Sequence, residues 1–381
     1  MTGKRLLRSG YTTGACAAAA AKGAALMLVS QEVVSEIGID LPTGDHVFFV
    51  LHGQSFSKDV ASCYVIKDAG DDPDVTNGAE VWARATANPP RPPFIEGGSE
   101  ISVEGGIGIG KVTKPGLAVP PGEWAINPVP RRMIEQSVGT VLSEFKIQNS
   151  KFKIELSIPD GEERAKKTLN ARLGIIGGLS ILGTTGIVRP ISAKAWTDTI
   201  DAALDVARAC GCETVVLSTG RSSEMAVQQM FKVQGSRFKT TNHELRTLNK
   251  APLPEEAYVM MGDHVAYTLQ ACAKRGFNQP VIACQFAKLL KIACGYENTH
   301  AAASELDLEL LLGWAKTAQL SPEFLAIISQ ANTAREIAVS TGFDRTLMEL
   351  VVDRAIKAAT VHATGIQARP LLCGYDGTAL L

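Results

Sequence analysis

Residues 215–224, VVLSTGRSSE, form an apolar run that leads directly into a short polar loop and the start of a helix. Residues 257–261 and 280–283 are two further apolar runs, and each is followed by a turn and an amphipathic helix. Residues 198–209 predict another helix before the first strand. Apolar strands that alternate with helices are typical of a parallel sheet covered on both faces. We therefore expect a mostly parallel, Rossmann-like three-layer α/β domain with C-terminal helices over residues 169–381.

The first part of the chain has a different pattern and predicts an α+β domain over residues 1–168. An alanine-rich helix comes first, because alanine propagates a helix better than any other residue and Thr12 or Thr13 can cap its first turn. Lys22 interrupts the run and alanine is only weakly apolar, so the segment is unlike a secretion signal. Apolar or alternating runs between Gly, Asp and Pro clusters predict strands at residues 35–41, 46–51, 60–66 and 80–85.

The composition restricts the class of protein. A net charge of −1 over 381 residues gives no reason to expect binding to nucleic acid, and no stretch resembles a membrane span. The eight cysteines are scattered, and the one close pair, Cys210 and Cys212, lacks a second pair at zinc-ligand spacing. We expect a reduced, cytoplasmic protein without a protein-bound metal.

The start of the alanine-rich helix allows two interpretations. In the first, it is the start of an ordinary buried helix. In the second, its short side chains let an anionic ligand approach the positive helix end at Thr12, Thr13 and Cys16.

A glycine-rich segment, residues 105–113, comes close to a phosphate-binding loop. Gly105, Gly110 and Lys111 fit the pattern, but Val112 stands where Ser or Thr is needed to bind magnesium, and an extended segment or turn is expected next. A glycine-rich strand and turn is the better interpretation. Residues 127–132 then predict a helix with proline at its start, whose Arg131 and Arg132 favour a bound anion.

Residues 68–76 contain four aspartates beside Gly and Pro. Such carboxylates hold a divalent cation or, more commonly, accept hydrogen bonds from their own turn. We favour the turn.

The carboxyl ends of the predicted parallel strands form one rim, which is where ligands bind in such sheets. The residues on this rim are Thr219, Gly220, Arg221, Glu224, Gly262, Asp263, His264, Cys284 and Gln285.

Several long blocks occur in one characteristic order, namely RSGYTTG at 8–14, KDAGDDPDVT at 67–76, GIGKVTKPGL at 108–117, AINPVPR at 125–131 and LGIIGGLSILGTTGIV at 173–188. With them the chain resembles the cobalt-precorrin-5B (C-1)-methyltransferase family of cobalamin biosynthesis. It departs from the family where Cys284-Gln285 and Ala287-Lys288 replace an expected Gly-His and Gly-Lys, although Asn298-Thr299-His300 fits.

The resemblance implies methyl transfer from S-adenosylmethionine to C-1 of cobalt-precorrin-5B, or its metal-free equivalent, to give cobalt-precorrin-6A. Asp263 or His264 is our candidate for a base that removes a proton from the ring, although Asp263 equally caps the following helix. For the donor we favour the rim residues Thr219, Gly220, Arg221, Glu224 and Gly262, with Glu224 accepting the ribose hydroxyls. The glycine-rich segment 174–186 is the alternative donor site.

The tetrapyrrole substrate implied by the resemblance is strongly anionic, so its site needs cations and backbone N–H groups. Our candidates are Lys111, Lys114, Arg131, Arg132 and Arg189, the helix start at Thr12, Thr13 and Cys16, and the nearby Thr184, Thr185 and His300.

Two other functions stay open from the sequence. One is a non-catalytic tetrapyrrole carrier, and the other is a nucleotide-binding small-molecule kinase. A homodimer and transient contacts with other enzymes of the corrin pathway are also open, whereas nucleic acid and membrane are not expected partners.

Overall fold

The computed structural model describes residues 7–88, 100–147, 150–232 and 253–380. The chain divides into a first unit, Met1–Ala193, and a second unit, Lys194–Leu381. We had expected a boundary after residue 168. Residues 169–193 belong to the first unit because two short strands within them pair with residues 111–112 and 10–11.

The first unit is α+β. In chain order its elements are β1 Gly10–Tyr11, α1 Thr13–Ser30, β2 Glu36–Asp40, β3 His46–Val50, β4 His52–Phe56, β5 Val60–Ile66, β6 Glu80–Asn88, β7 Glu100–Gly105, β8 Lys111–Val112, α2 Pro128–Glu144, β9 Lys151–Ser157, α3 Gly161–Ala165, β10 Ile175–Ile176 and β11 Ile187–Val188. The four predicted strands are confirmed as β2, β3, β5 and β6.

The largest sheet of the first unit has the order β4-β5-β6-β9-β7. Its pairs are antiparallel except β7 with β9, which run parallel. Alternate residues of β5 point into the core, where Ala61, Cys63 and Val65 are buried.

Helix α1 lies in the core of this unit and contacts α2, β5 and β6. Its alanines are buried on every side, so it has no polar face. A Cβ at Gly23 would lie 2.4 Å from a Leu51 methyl group, which shows how closely the sheet approaches. By length and composition α1 would suffice to cross a membrane, but 78% of it is buried inside the protein. Small side chains here allow close packing.

The second unit is α/β. Its elements are α4 Ala193–Ala209, β12 Val216–Ser218, α5 Arg221–Lys232, β13 Tyr258–Met260, α6 Val265–Lys274, β14 Val281–Gln285, α7 Phe286–Ala293, α8 Leu308–Thr317, α9 Pro322–Gln330, α10 Ala334–Ser340, α11 Arg345–His362 and β15 Arg369–Cys373. The three predicted strands and their following helices are confirmed, whereas β15 was not predicted.

The four strands of the second unit are parallel, in the order β13-β12-β14-β15. Val216, Val281 and Leu371 pack against α5 on one face. Leu217, Ile282 and Leu372 face the opposite way and pack in a core that includes α4, α6, α7 and α11. The expectation of a parallel sheet covered on both faces is therefore confirmed.

The aspartate-rich loop of residues 68–76 is held by its own turn and by neighbouring segments. Asp68 pairs with Arg8 and accepts from the Gly70 backbone at 2.8 Å. Asp71 accepts from the Arg8 backbone, and Asp72 from the Ile191 backbone. No group of three or more His, Cys, Asp or Glu side chains in the described residues is placed to hold a metal ion. The contacts support the turn interpretation.

Asp74 of this loop belongs to a buried ion pair. Lys67 is 1% exposed, and its Nζ lies 2.6 Å from Asp74 Oδ2. Burial acts to raise the pKa of Asp74, but the hydrogen bonds from Lys67 and Thr76 outweigh it and lower the pKa below its ordinary value. The pair ties the loop to the core.

We expect Lys67→Met to lower the free energy of unfolding by about 2–3 kcal/mol, because it leaves the Asp74 carboxylate without its buried partner. Urea titration at pH 7 measures this. The exposed pair Lys151–Glu100 supplies the control, since Lys151→Met should change stability by less than about 1 kcal/mol.

The same variant has a predictable pH dependence. Because the folded-state pKa of Asp74 is lowered, its contribution is complete above the unfolded pKa of about 4 and is lost as the pH falls through the folded pKa. The difference between wild type and Lys67→Met should shrink on acidification. A difference that grows would contradict the assignment.

Candidate functional site

The start of α1 is closed by the protein's own chain. The Thr12 and Gly14 backbone N–H groups donate to Gly186 and Leu182 carbonyls at 2.9 and 3.0 Å. Thr12 Oγ1 caps the Ala15 N–H at 3.2 Å, and Thr13 Oγ1 accepts from the Leu182 N–H at 3.0 Å.

Cys16 is fully buried, and burial raises the pKa of its thiol to about 12. Thr12, Thr13 and Cys16 therefore face packed chain instead of an open anion site, and the first of our two interpretations describes them.

The glycine-rich segments pack against each other inside the first unit. Bridges join Ile109 to Leu179, Lys111 to Trp124 and Ile126 to Ile181. A Cβ at Gly178 would lie 2.1 Å from the Gly108 carbonyl oxygen, and one at Gly183 would lie 2.5 Å from Thr12. Segment 174–186 is thus a packing element, which weakens it as the alternative donor site.

The structure of residues 105–113 and of the chain after them differs from a phosphate-binding loop. Strand β8 covers only Lys111–Val112, and the next helix, α2, begins at Pro128. A nucleotide-binding loop needs a helix directly after it. The kinase alternative has no support here.

The five predicted cations of the first unit differ in what they contact. Lys114 Nζ donates to the Arg172 carbonyl at 3.2 Å, and Arg131 Nη1 donates to the Val103 carbonyl at 3.0 Å. Lys111, Arg132 and Arg189 are exposed, with Lys111 Nζ 4.5 Å from the centroid of Trp124. Thr184 and Thr185 are also exposed.

The carboxyl ends of β12, β13 and β14 are joined by backbone hydrogen bonds. The Ser218 carbonyl accepts from the Met261 and Gly262 N–H groups at 2.9 and 3.2 Å, and the Thr219 N–H donates to the Ala283 carbonyl at 3.2 Å. These bonds place Thr219 beside β14 and Gly262 beside the end of β12. The space beside Gly220 is open, and Arg221 is exposed.

Glu224 does not face this open space. It is 3% exposed, its Oε2 accepts from Ser218 Oγ, and its Oε1 accepts from the Gln228 side chain, both at 3.3 Å. Both oxygens of the Glu224 carboxylate therefore already accept hydrogen bonds within the protein.

Asp263, in the turn after β13, is held by two residues that sequence reasoning did not assign. Lys288 Nζ and Thr299 Oγ1 both donate to Asp263 Oδ1, the latter at 2.6 Å, and the Thr299 N–H donates to the Asp263 carbonyl at 3.0 Å. Burial acts to raise the pKa of Asp263, but these hydrogen bonds outweigh it and lower the pKa. The group is a stable carboxylate and a weak base.

His264 is the N-cap of α6, and its side chain makes no capping hydrogen bond. Its ring lies 6.5 Å from that of Trp196, with the planes inclined by 29°. Trp196 was also missed, although it is the one aromatic residue of α4.

The remaining predicted positions lie nearby in the second unit. His300 is exposed and its Nδ1 accepts from the Ala302 N–H at 3.2 Å, while its neighbour Thr299 is buried. Cys284 is fully buried, and burial raises the pKa of its thiol. Gln285 is the N-cap of α7 without a side-chain hydrogen bond.

A cavity of about 240 Å³ lies elsewhere, on the solvent side of the five-stranded sheet. Trp82, Arg84, Ile107 and Glu155 are among its lining residues, and none of the predicted site residues is.

Family models and relatives with the same function in their names match both ends of the chain. The CbiD family model matches residues 1–190, and the model of the CbiD C-terminal domain matches residues 298–381. A protein of Pelobacter propionicus named cobalt-precorrin-5B C(1)-methyltransferase is 60% identical over 378 residues, which cover 97% of this chain and 95% of the relative. One of Geobacter sulfurreducens with the same name is 55% identical over 376 residues, 99% and 98% of the two chains.

A crystal structure of a cobalamin biosynthesis protein from Archaeoglobus fulgidus is 26% identical and covers 74% of this chain and 78% of its own, with a TM-score of 0.38. The sequence matches alone decide the assignment: the chain belongs to the CbiD family.

Proposed function

We propose that this protein transfers a methyl group from S-adenosylmethionine to C-1 of cobalt-precorrin-5B, or of its metal-free equivalent, giving cobalt-precorrin-6A. The observation that carries the proposal is that relatives 60% and 55% identical over nearly the whole chain bear the name cobalt-precorrin-5B C(1)-methyltransferase.

We place the methyl donor at the carboxyl edge of the second unit's sheet, in a Rossmann-like arrangement. The chain proceeds from β12 to β13 on one side and to β14 on the other, so the strand order reverses between β12 and β14. Ligands bind at such reversal points, outside the carboxyl ends of the strands. Thr219, Gly220 and Arg221 lie there, with open space beside Gly220.

For the anionic tetrapyrrole we propose the exposed groups Lys111, Arg132, Arg189, Thr184 and Thr185 of the first unit. Their exposure leaves them available to ring carboxylates, whereas Lys114 and Arg131 are engaged with backbone carbonyls.

The reaction is an in-line displacement in which ring carbon C-1 attacks the methyl carbon and the sulfonium leaves as a thioether. Alignment of donor and acceptor supplies much of the rate. The ring must then lose a proton, and His264 suits this task better than Asp263, because the lowered pKa of Asp263 makes it a weak base.

His264→Ala should lower kcat by about 10²-fold and leave the affinity for S-adenosylhomocysteine nearly unchanged, because it removes a proton acceptor and no donor contact. Single-turnover methyl transfer and calorimetry measure the two quantities. Normal turnover would contradict a base at this position.

Gly220→Leu should weaken binding of S-adenosylhomocysteine at least tenfold, because the new side chain would fill the open space of the proposed donor site. Gly313→Leu is the matched control, since Gly313 in α8 also has open space beside it. Titration calorimetry measures both. A protein that binds tetrapyrrole but never S-adenosylhomocysteine would instead be the carrier.

Arg132→Gln should raise KM for the tetrapyrrole about tenfold, in keeping with loss of one charge-assisted hydrogen bond, and leave donor affinity unchanged. Arg131→Gln should act on stability instead, because Arg131 holds the Val103 carbonyl. Steady-state kinetics and thermal unfolding separate the two effects, and equal loss of donor and tetrapyrrole binding would contradict this division.

A further inference from the structure

The Asp263 carboxylate is anchored through one of its two oxygens. Lys288 and Thr299 both donate to Oδ1, and within the described part of the chain no hydrogen bond reaches Oδ2. The side chain is 24% exposed. One oxygen thus fixes the orientation of the carboxylate and the other is left as an acceptor.

The place of Asp263 in the sheet is one at which nucleotide-binding sheets carry an acidic residue. In sheets that bind nucleotides, an acidic residue at the end of the strand beside the first one accepts hydrogen bonds from a ribose hydroxyl. β13 is the neighbour of β12, and Asp263 lies in the turn after it, three residues beyond Met260. The lowered pKa keeps the group ionised, as an acceptor requires.

Trp196 contacts the turn that carries Asp263, and its side chain is 45% exposed. Its Nε1 donates to the Met261 carbonyl at 3.1 Å. Gly262, with φ of 58°, lies so close that a Cβ there would be 2.9 Å from indole Cζ2. A fixed, exposed indole offers a flat apolar surface for stacking with little loss of side-chain entropy.

We propose that Asp263 Oδ2 accepts a ribose hydroxyl of the methyl donor and that Trp196 stacks on its adenine ring. This inference rests on the proposed function. It reassigns the ribose contact from Glu224, whose carboxylate is engaged with Ser218 and Gln228, and makes Lys288 and Thr299 positioning residues for Asp263.

The test for Asp263 compares S-adenosylhomocysteine with its 2′-deoxy and 3′-deoxy analogues by titration calorimetry. Asp263→Asn keeps an Oδ1 acceptor for Lys288 and Thr299 but replaces Oδ2 with a donor. Wild type should bind one of the deoxy analogues at least tenfold more weakly than the parent, and Asp263→Asn should reduce this preference to about twofold. Asp198→Asn, on the exposed side of α4, is the control and should behave as wild type.

The test for Trp196 uses the same ligands. Trp196→Leu should weaken binding of S-adenosylhomocysteine about tenfold while the preference over the deoxy analogues persists, and Trp196→Phe should restore most of the affinity. Unchanged affinity in Trp196→Leu would overturn the stacking contact.

The outcomes separate this inference from the function on which it rests. Saturable binding by wild type, with full preference retained in Asp263→Asn, overturns the ribose contact and leaves the methyltransferase assignment standing. Absence of saturable binding by wild type overturns the proposed donor site and this inference together.

Discussion

Close packing of α1 is the constraint on which the first unit depends. The helix lies against β5 and β6 on one side and α2 on another, so side chains larger than alanine would separate these layers. The same closeness explains the loops around its first turn. Residues 180–186 supply carbonyls to the helix start, and Gly14 has no room for a Cβ, which would lie 2.7 Å from Pro130. The backbone N–H groups at the start of α1 are thus used for contacts within the first unit.

In the second unit the carboxyl ends of three strands are joined to one another, and the space beside Gly220 is open. The Ser218 carbonyl joins β12 to the turn after β13, and Thr219 joins it to β14. Lys288 and Thr299 then fix the Asp263 carboxylate at this edge through a single oxygen. The edge is thereby rigid without being filled, which is the arrangement that preorganised binding requires.

Local patterns were sufficient to predict several of the elements and insufficient to predict the residues that each element contacts. Continuous apolar runs predicted the parallel sheet, and Thr12 with the alanine run predicted α1. Both predictions rest on residues that are close together in the sequence. β15 was missed because it is short and begins with Arg369 and Pro370, which are not typical of a central strand. Glu224 illustrates the limit for the site, since a carboxylate after a strand looks available until Ser218 and Gln228 are placed beside it.

In our proposal Asp263 takes the role that the sequence suggested for Glu224, because the hydrogen-bond partners of both carboxylates are known. A base must accept a proton near neutral pH, and a carboxylate whose pKa is lowered by a lysine and a hydroxyl does so poorly. The same contacts make Asp263 a dependable acceptor, because it stays charged and oriented. The departure at Cys284-Gln285 does not remove this arrangement, since Lys288 and Thr299, which create it, are both present. We therefore propose that this edge of the sheet contributes by positioning the donor more than by transferring a proton.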